Sequence, residues 1–188
     1  MIKIKVITGS VRPGRFNIQP ATWITDLAKK LSDVDVELID LQELNLPFYD
    51  EPKPALYGEY EHEYTKKWAD TIGSADGFIF VTPEYNHSYS PVLANAIDYL
   101  NKEWNYKPVS FVSYGSLAGG SRAVEHLRGI AGELRMFDLK EQVMLPNYYF
   151  NLDDQGKFKF GDQEVEAANV MLKELTTWSQ NLKVAREK

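Results

Sequence analysis

Five short apolar runs, each followed by a stretch of helical periodicity, constrain this chain more than any other feature. The runs are Ile2–Thr8, Val34–Ile39, Gly77–Val81, Val109–Tyr114 and a stretch near 138–145. Largely apolar strands alternating with helices are the pattern of a parallel sheet covered on both faces. Helices are predicted at about 18–31, with Trp23, Ile24, Leu27, Ala28 and Leu31 on one face, near 64–74, and at about 164–185. Two more follow from the stripes Val92, Leu93, Ala96, Ile97, Leu100 and Val124, Leu127, Ala131, Leu134. Asn17 reads as the N-cap of the first helix, and Pro20 is tolerable in a first turn whose amides lack intrahelical acceptors. Residues 41–63, with Pro47, Pro52 and Pro54 among several tyrosines, read as irregular, and 148–161 as a hairpin around Asp154-Gln155-Gly156.

Five βα units with no repeat or linker predict one domain over residues 1–188. Its class is α/β, a flavodoxin-like three-layer sandwich with a five-stranded parallel sheet in the order 2-1-3-4-5. A net charge of −6 argues against a general nucleic-acid or anionic-membrane surface. No apolar run reaches the length of a membrane span, and the opening strand carries no signal-peptide pattern. The absence of cysteine excludes disulfides, thiolate metal sites and a cysteine nucleophile, and is compatible with a cytoplasmic protein. No spacing of His62, His87 and His126 suggests a metal site. His126 reads as structural.

In a sheet of this order ligands bind beyond the carboxyl ends of the strands. The first strand ends in Gly9-Ser10-Val11-Arg12-Pro13-Gly14-Arg15, ahead of Phe16 and Asn17. Backbone N–H groups of such a turn favour an anion, and Ser10, Arg12 and Arg15 add a hydroxyl and two charges suited to a phosphate. Gly9-x4-Gly14 is a near miss to an NTPase phosphate loop, but Arg15 and Phe16 stand where Lys and Ser/Thr would be needed. The dinucleotide fingerprint Gly-x-Gly-x-x-Gly is also absent, because position 11 is Val. What remains is a pocket for a terminal phosphate monoester without a metal. The third strand runs into Thr82-Pro83-Glu84-Tyr85-Asn86-His87-Ser88, where Pro83 is expected to stop the strand and Asn86 to turn the chain. Ser90 before Pro91 reads as a helix cap. An aromatic ring with backbone donors and acceptors suits a planar, heteroatom-edged ligand. The fourth strand ends in Gly115-Ser116-Leu117-Ala118-Gly119-Gly120, which lets a ligand approach the backbone closely.

These motifs together resemble the NADPH-dependent FMN reductases of the flavodoxin-like superfamily. The resemblance covers nearly the whole chain, through Gly-Ser-x-Arg-Pro-Gly-Arg, Thr-Pro-Glu-Tyr-Asn, Asn95-Ala96-Ile97-Asp98 and Lys107-Pro108. It implies non-covalently bound FMN, NADPH or NADH as co-substrate, and a small-molecule electron acceptor such as a flavin, quinone, azo dye or chromate. It also implies a homodimer or homotetramer, to which the apolar stretch 92–100 with Tyr99 and Trp104 would contribute. By this likeness Ser10, Arg12, Arg15 and Asn17 hold the FMN phosphate. Pro83, Glu84, Tyr85 and Asn86 border the isoalloxazine ring, with His87 at the opening and Gly115 and Ser116 on the other side. Relatives often have Ser at position 15. Arg15 would either make the same contact or turn outward to a nicotinamide cofactor's phosphate. Relatives also often open the third turn with Gly-Gly, where this chain has Gly115-Ser116.

With FMN as cofactor no side-chain nucleophile is required. His87 would donate a proton or simply line the opening, and the loops at 41–63 and 148–161 would set acceptor choice. A flavodoxin-type electron carrier and a flavin-binding regulator without turnover share this fold and cofactor. A receiver-type signalling domain fits poorly, because its strand ends need acidic residues where this chain has Thr8-Gly9 and Thr82-Pro83.

Overall fold

Side chains alternate across a strand, yet both sets are largely apolar in the inner strands, so both faces of the sheet must be covered. The computed structural model describes residues 1–187 and meets that demand. Strands β1 (Ile2–Thr8), β2 (Val34–Ile39), β3 (Gly77–Pro83), β4 (Pro108–Gly115) and β5 (Phe137–Pro146) form one parallel sheet in the order β2-β1-β3-β4-β5. This is the flavodoxin-like order expected from the sequence. Helices α1 (Ile18–Ala28) and α6 (Asp162–Arg186) cover one face. Helices α3 (Glu63–Gly73), α4 (Pro91–Asp98) and α5 (Ser121–Glu133) cover the other, and the single-turn α2 spans Leu41–Leu44.

The alternation along β3 shows how one strand serves two cores. Phe78 and Phe80 face Trp68, Ile97 and Trp104, while Ile79 and Val81 belong to the opposite core with Ile24, Met171 and Leu175. Both buried indoles find acceptors on α4: Trp68 Nε1 donates to the Ala96 carbonyl at 2.8 Å and Trp104 Nε1 to that of Ile97 at 3.1 Å. Burial of each such large side chain stabilises the fold by about 1.5–3 kcal/mol. Because β1 leads to β2 on one side and β3 lies on the other, the loops after β1 and β3 diverge and leave a crevice at that edge.

Several local expectations change. β3 runs two residues past Val81 and ends at Pro83, as expected of that proline; Pro83 is in register with Tyr114, and Glu84 N–H then donates to the Tyr114 carbonyl at 3.1 Å. Asn17 occupies the cap position of α1, but its side chain makes no capping bond. Residues 148–161 open with a 3₁₀ turn at Tyr148–Asn151, and the expected hairpin around Asp154-Gln155-Gly156 is short, with one antiparallel bridge, Leu152 to Phe158, and Asp153 N–H donating to the Lys157 carbonyl at 2.9 Å. The aromatic residues account for its shortness: Tyr148 stacks on Phe16 at 4.3 Å and Phe158 meets the same ring edge-on at 5.4 Å, so packing against Phe16 holds both flanks of the pairing. Helix α1 ends at Ala28, short of Leu31.

Lys107 ties the end of α3 to the start of β4. It is buried, and its ammonium donates to the Ile72 and Gly73 carbonyls at 2.8 and 2.9 Å, the acceptors left over at a helix C-terminus. Burial, aided by the nearby Arg186 cation, pulls the Lys107 ammonium down to about 8. The unfolded chain therefore binds more protons than the folded one between about pH 8 and the ordinary lysine value, and stability rises with pH across that window. Buried Tyr99 and Tyr114 are pushed up and act in the opposite sense only above their ordinary range. We expect unfolding free energy from urea titration to increase by roughly 1–2 kcal/mol between about pH 7.5 and 9.5. Lys107→Met should abolish that increase, and an identical pH profile in both proteins would contradict it.

Candidate functional site

The loop after β1 is held by its glycines. Gly9 N–H donates to the Val81 carbonyl at 2.7 Å, and a Cβ on Gly9 would lie 2.7 Å from that same oxygen. Arg12-Pro13-Gly14-Arg15 forms a turn closed by Arg15 N–H on the Arg12 carbonyl at 3.0 Å, with Pro first and Gly14 second at φ +66°. That is the chemistry of a type II turn. The two arginines part here. Arg12 is exposed, whereas Arg15 folds inward and pairs with Asp40 at the end of β2, both side chains nearly covered at 13% and 12% exposure. Neither outcome considered for Arg15 from the sequence included this pair. The Arg15 Nε–H is buried and meets no acceptor.

Ser10 and Asn17 are both buried. The Ser10 hydroxyl and the Tyr85 phenol hydrogen-bond at 3.0 Å, joining the first loop to the loop after β3. Asn17 Nδ2 donates to the Val81 carbonyl at 2.8 Å, and its Oδ1 has no partner. The backbone N–H groups of Ser10 and Val11 donate to no protein acceptor among the described residues.

Beyond β3, Tyr85 and Ser88 pair backbone to backbone at 2.8 and 3.0 Å around a two-residue tip. Asn86 and His87 at that tip take φ +49° and +74°, the left-handed pair that such a turn requires and that Asn tolerates better than His. Glu84 is nearly covered at 11% exposure and accepts Arg122 Nη1 from the start of α5 at 2.7 Å. Its second oxygen is buried without a partner. Ser90 caps α4 as expected, accepting Leu93 N–H at 3.3 Å, and its hydroxyl also donates to the Gly9 carbonyl.

These loops enclose two clefts that share Arg12 and Tyr85. One, of about 230 Å³, is lined by Pro83, Glu84, Gly115, Ser116 and the phenols of Tyr114, Tyr148 and Tyr149. The other, of about 550 Å³, is mainly apolar and lies between Val11, the strap residues Leu46, Pro47 and Phe48, and Pro91, Val92 and Asn95 of α4. Asn95 and Tyr99 fasten the strap: Asn95 Nδ2 donates to the Pro47 carbonyl at 2.7 Å, and Tyr99 OH to the Phe48 carbonyl at 3.2 Å. The Tyr85–Ser10 bond lies at the junction of the two clefts.

The sequence-selected residues thus gather at one sheet edge, with Arg15 diverted towards Asp40 and Asn17 spent partly on β3. Asp40, Arg122, Tyr114 and Tyr148 escaped selection. His126, read as structural, meets the tip of the loop after β3, its Nδ1 2.9 Å from Ser88 Oγ and its ring centre 6.2 Å from that of His87; neither histidine, nor Asn86, lines either cleft. No group of three or more potential metal ligands occurs among the described residues.

A family model described as NADPH-dependent FMN reductase matches residues 2–150. An NAD(P)H-dependent FMN reductase of Schizosaccharomyces pombe is 45% identical over 136 residues, 71% of this chain and 68% of the relative. A 2-hydroxy-1,4-benzoquinone reductase of Burkholderia sp is 33% identical over 150 residues, 76% of this chain and 77% of that protein. Among solved structures, the flavoenzyme NAD(P)H:(acceptor) oxidoreductase FerB of Paracoccus denitrificans superposes with a TM-score of 0.75 at 19% identity, covering 96% of this chain and 98% of that one.

Proposed function

The chain belongs to the NADPH-dependent FMN reductase family, and from that premise we propose how its residues carry an FMN-dependent NAD(P)H oxidoreductase activity towards flavins, quinones or similar small acceptors. The observation that carries this reading is the convergence of three loops, after β1, β3 and β4, on two clefts sharing Arg12 and Tyr85.

The donor set fits a flavin mononucleotide. Free backbone N–H groups at Ser10 and Val11, the exposed Arg12 cation and the buried, unpartnered Arg15 Nε–H supply what a phosphate dianion needs. The turn after β4 is stripped of side chains where it packs closest: a Cβ on Gly115 would approach Gly120 N to 3.1 Å and the Glu84 side chain to 3.5 Å. We assign Ser10, Arg12, Arg15 and Asn17 to the phosphate end, and Pro83, Glu84, Tyr85, Asn86, His87, Gly115 and Ser116 to the ring end.

The chemistry FMN supplies when bound is two-electron transfer between NADPH or NADH and the acceptor. The chain's own residues bind and orient. Arg12 and the loop amides fix the anionic end, and Tyr85 holds the two loops together through Ser10. The Glu84–Arg122 pair braces the loop after β3 against α5, so that it keeps its shape while the nicotinamide and the acceptor exchange. Backbone N–H groups in the turn after Gly115 would offset negative charge at a ring edge. The apolar cleft under Phe48 and Val92 suits flat, poorly hydrated partners and excludes water from them.

The test is optical. The purified protein should be yellow, or turn so with added FMN, and NADPH or NADH should bleach it; acceptor should restore the colour repeatedly. A colourless protein that ignores FMN defeats the reading, and a flavoprotein that no nicotinamide bleaches would be a carrier. We further assign a homo-oligomer in the cytoplasm. Phe48, Leu56 and Tyr57 stand 85%, 70% and 65% exposed on the strap, an apolar surface that a second copy would cover. Elution of a monomer near 21.5 kDa would overturn that assignment.

A further inference from the structure

We propose that Asp40, at the end of β2, is a positioning residue for phosphate recognition: it grips one edge of the Arg15 guanidinium and so presents the Arg15 Nε–H as a fixed donor to the FMN phosphate. The inference rests on the reading of Gly9–Asn17 as the phosphate loop and names a determinant of its affinity on a neighbouring strand.

Asp40 is itself held from several directions. Its Oδ1 accepts the Thr8 hydroxyl at 3.1 Å and Gln42 N–H at 3.0 Å, and its Oδ2 takes Arg15 Nη2. The Thr8 hydroxyl in turn accepts Leu41 N–H at 3.0 Å, so the carboxylate is fixed by the ends of both β1 and β2 and the start of α2. A guanidinium is a planar fork with five N–H donors; clamping one edge sets the direction of the others. Of those others, the Nε–H is buried without an acceptor, which is uncommon for a buried donor. It belongs to the same loop as the unfilled N–H groups of Ser10 and Val11. An ion pair retained only for stability has no need of an empty donor, and its two desolvated charges make it a weak stabiliser in any case. Arg15 lines neither cleft itself, so its Nε–H would serve the anion from behind the Ser10 and Val11 N–H groups.

The rival role for Asp40 is cancellation of the Arg15 charge. The two roles predict opposite signs. Neutralising a positioning carboxylate loosens the phosphate, whereas neutralising a cancelling one frees a cation and tightens it. The experiment titrates FMN and riboflavin, which lacks the phosphate, into flavin-free wild-type protein and into Asp40→Asn and Arg15→Lys. Lysine keeps the pair with Asp40 but has no second N–H of fixed direction. Each variant should bind FMN roughly 5–30-fold more weakly while riboflavin affinity stays within about twofold. Tighter or unchanged FMN binding by Asp40→Asn, or Arg15→Lys equal to wild type, overturns the proposal. Equal losses for both flavins also overturn it, since they report a loosened fold. If Asp40→Asn does not fold, Asp40→Ser, which also removes the charge, takes its place with the same expected sign. Wild-type protein that prefers FMN to riboflavin by no margin would instead overturn the phosphate reading of the loop, and this inference with it.

Discussion

Replacing Arg12 with glutamine is expected to weaken FMN binding by about ten- to a hundredfold while leaving riboflavin binding nearly unchanged. Whereas Arg15 is paired with Asp40 and Arg122 with Glu84, Arg12 makes no ion pair among the described residues, although it lines both clefts. Its full charge is thus available to a ligand. A hydrogen bond to a charged group contributes about 1.5–3 kcal/mol, and each 1.4 kcal/mol is a factor of ten in affinity. Because Arg12 is exposed, its truncation should move folding stability by no more than about 0.5 kcal/mol. Fluorescence titration of the flavin-free protein with both ligands separates the cases. Unchanged FMN affinity would show that the phosphate lies elsewhere, and parallel losses for riboflavin would place Arg12 at the ring instead.

What could be read from the sequence, and what could not, divides along contact distance in the chain. Strand and helix signals are local. Phe78-Ile79-Phe80-Val81 declares a strand buried on both faces, and Ser90-Pro91 declares a helix start, without reference to anything remote. The gathering of Ser10, Arg12, Tyr85, Gly115 and Ser116 at one edge needed only the strand order, because every loop that follows a parallel strand emerges on the same side. The pairings within the site are tertiary. Arg15 and Asp40 are 25 residues apart, and Glu84 and Arg122, like Ser88 and His126, are 38 apart. Sequence spacing says nothing about which side chains meet across such intervals. The strand order does carry a usable signal here. Since β2 lies beside β1, and β4 beside β3, an acidic residue at the end of β2 and a basic one at the head of the helix after β4 are natural partners for the loops next to them. Nothing comparable announced that Phe16, an ordinary apolar residue after Arg15, would stack on Tyr148 and so keep the expected hairpin short.

The turn after β4 carries the largest stability effect we expect from a single methyl group. Gly120, the cap residue of α5, adopts φ +86°, ψ +7°, and a Cβ there would lie 2.7 Å from the Ser113 Cβ and 2.8 Å from the Tyr114 backbone nitrogen. A left-handed conformation costs an L-residue about 1–2 kcal/mol, and forcing an extra carbon into packed structure about 1–3 kcal/mol. The obstacle is the backbone of a central strand, flanked by β3 and β5, so it cannot yield as a flexible side chain would. Gly120→Ala should therefore cost about 3 kcal/mol and lower the melting temperature by roughly 6–12 °C for a chain of this length. Gly129→Ala is the control. It lies within α5 with nothing near its would-be Cβ, and the same methyl there should stabilise by about 0.5–1 kcal/mol. The consequence reaches the ligand as well. Gly120 backs directly onto Gly115 and lies two residues before Arg122, the partner of Glu84, so a displaced turn shifts both sides of the smaller cleft. Gly120→Ala should accordingly lose affinity for FMN and riboflavin alike, unlike Arg12→Gln. If Gly120→Ala melts within 2 °C of wild type, the turn is not the rigid wall that this geometry requires.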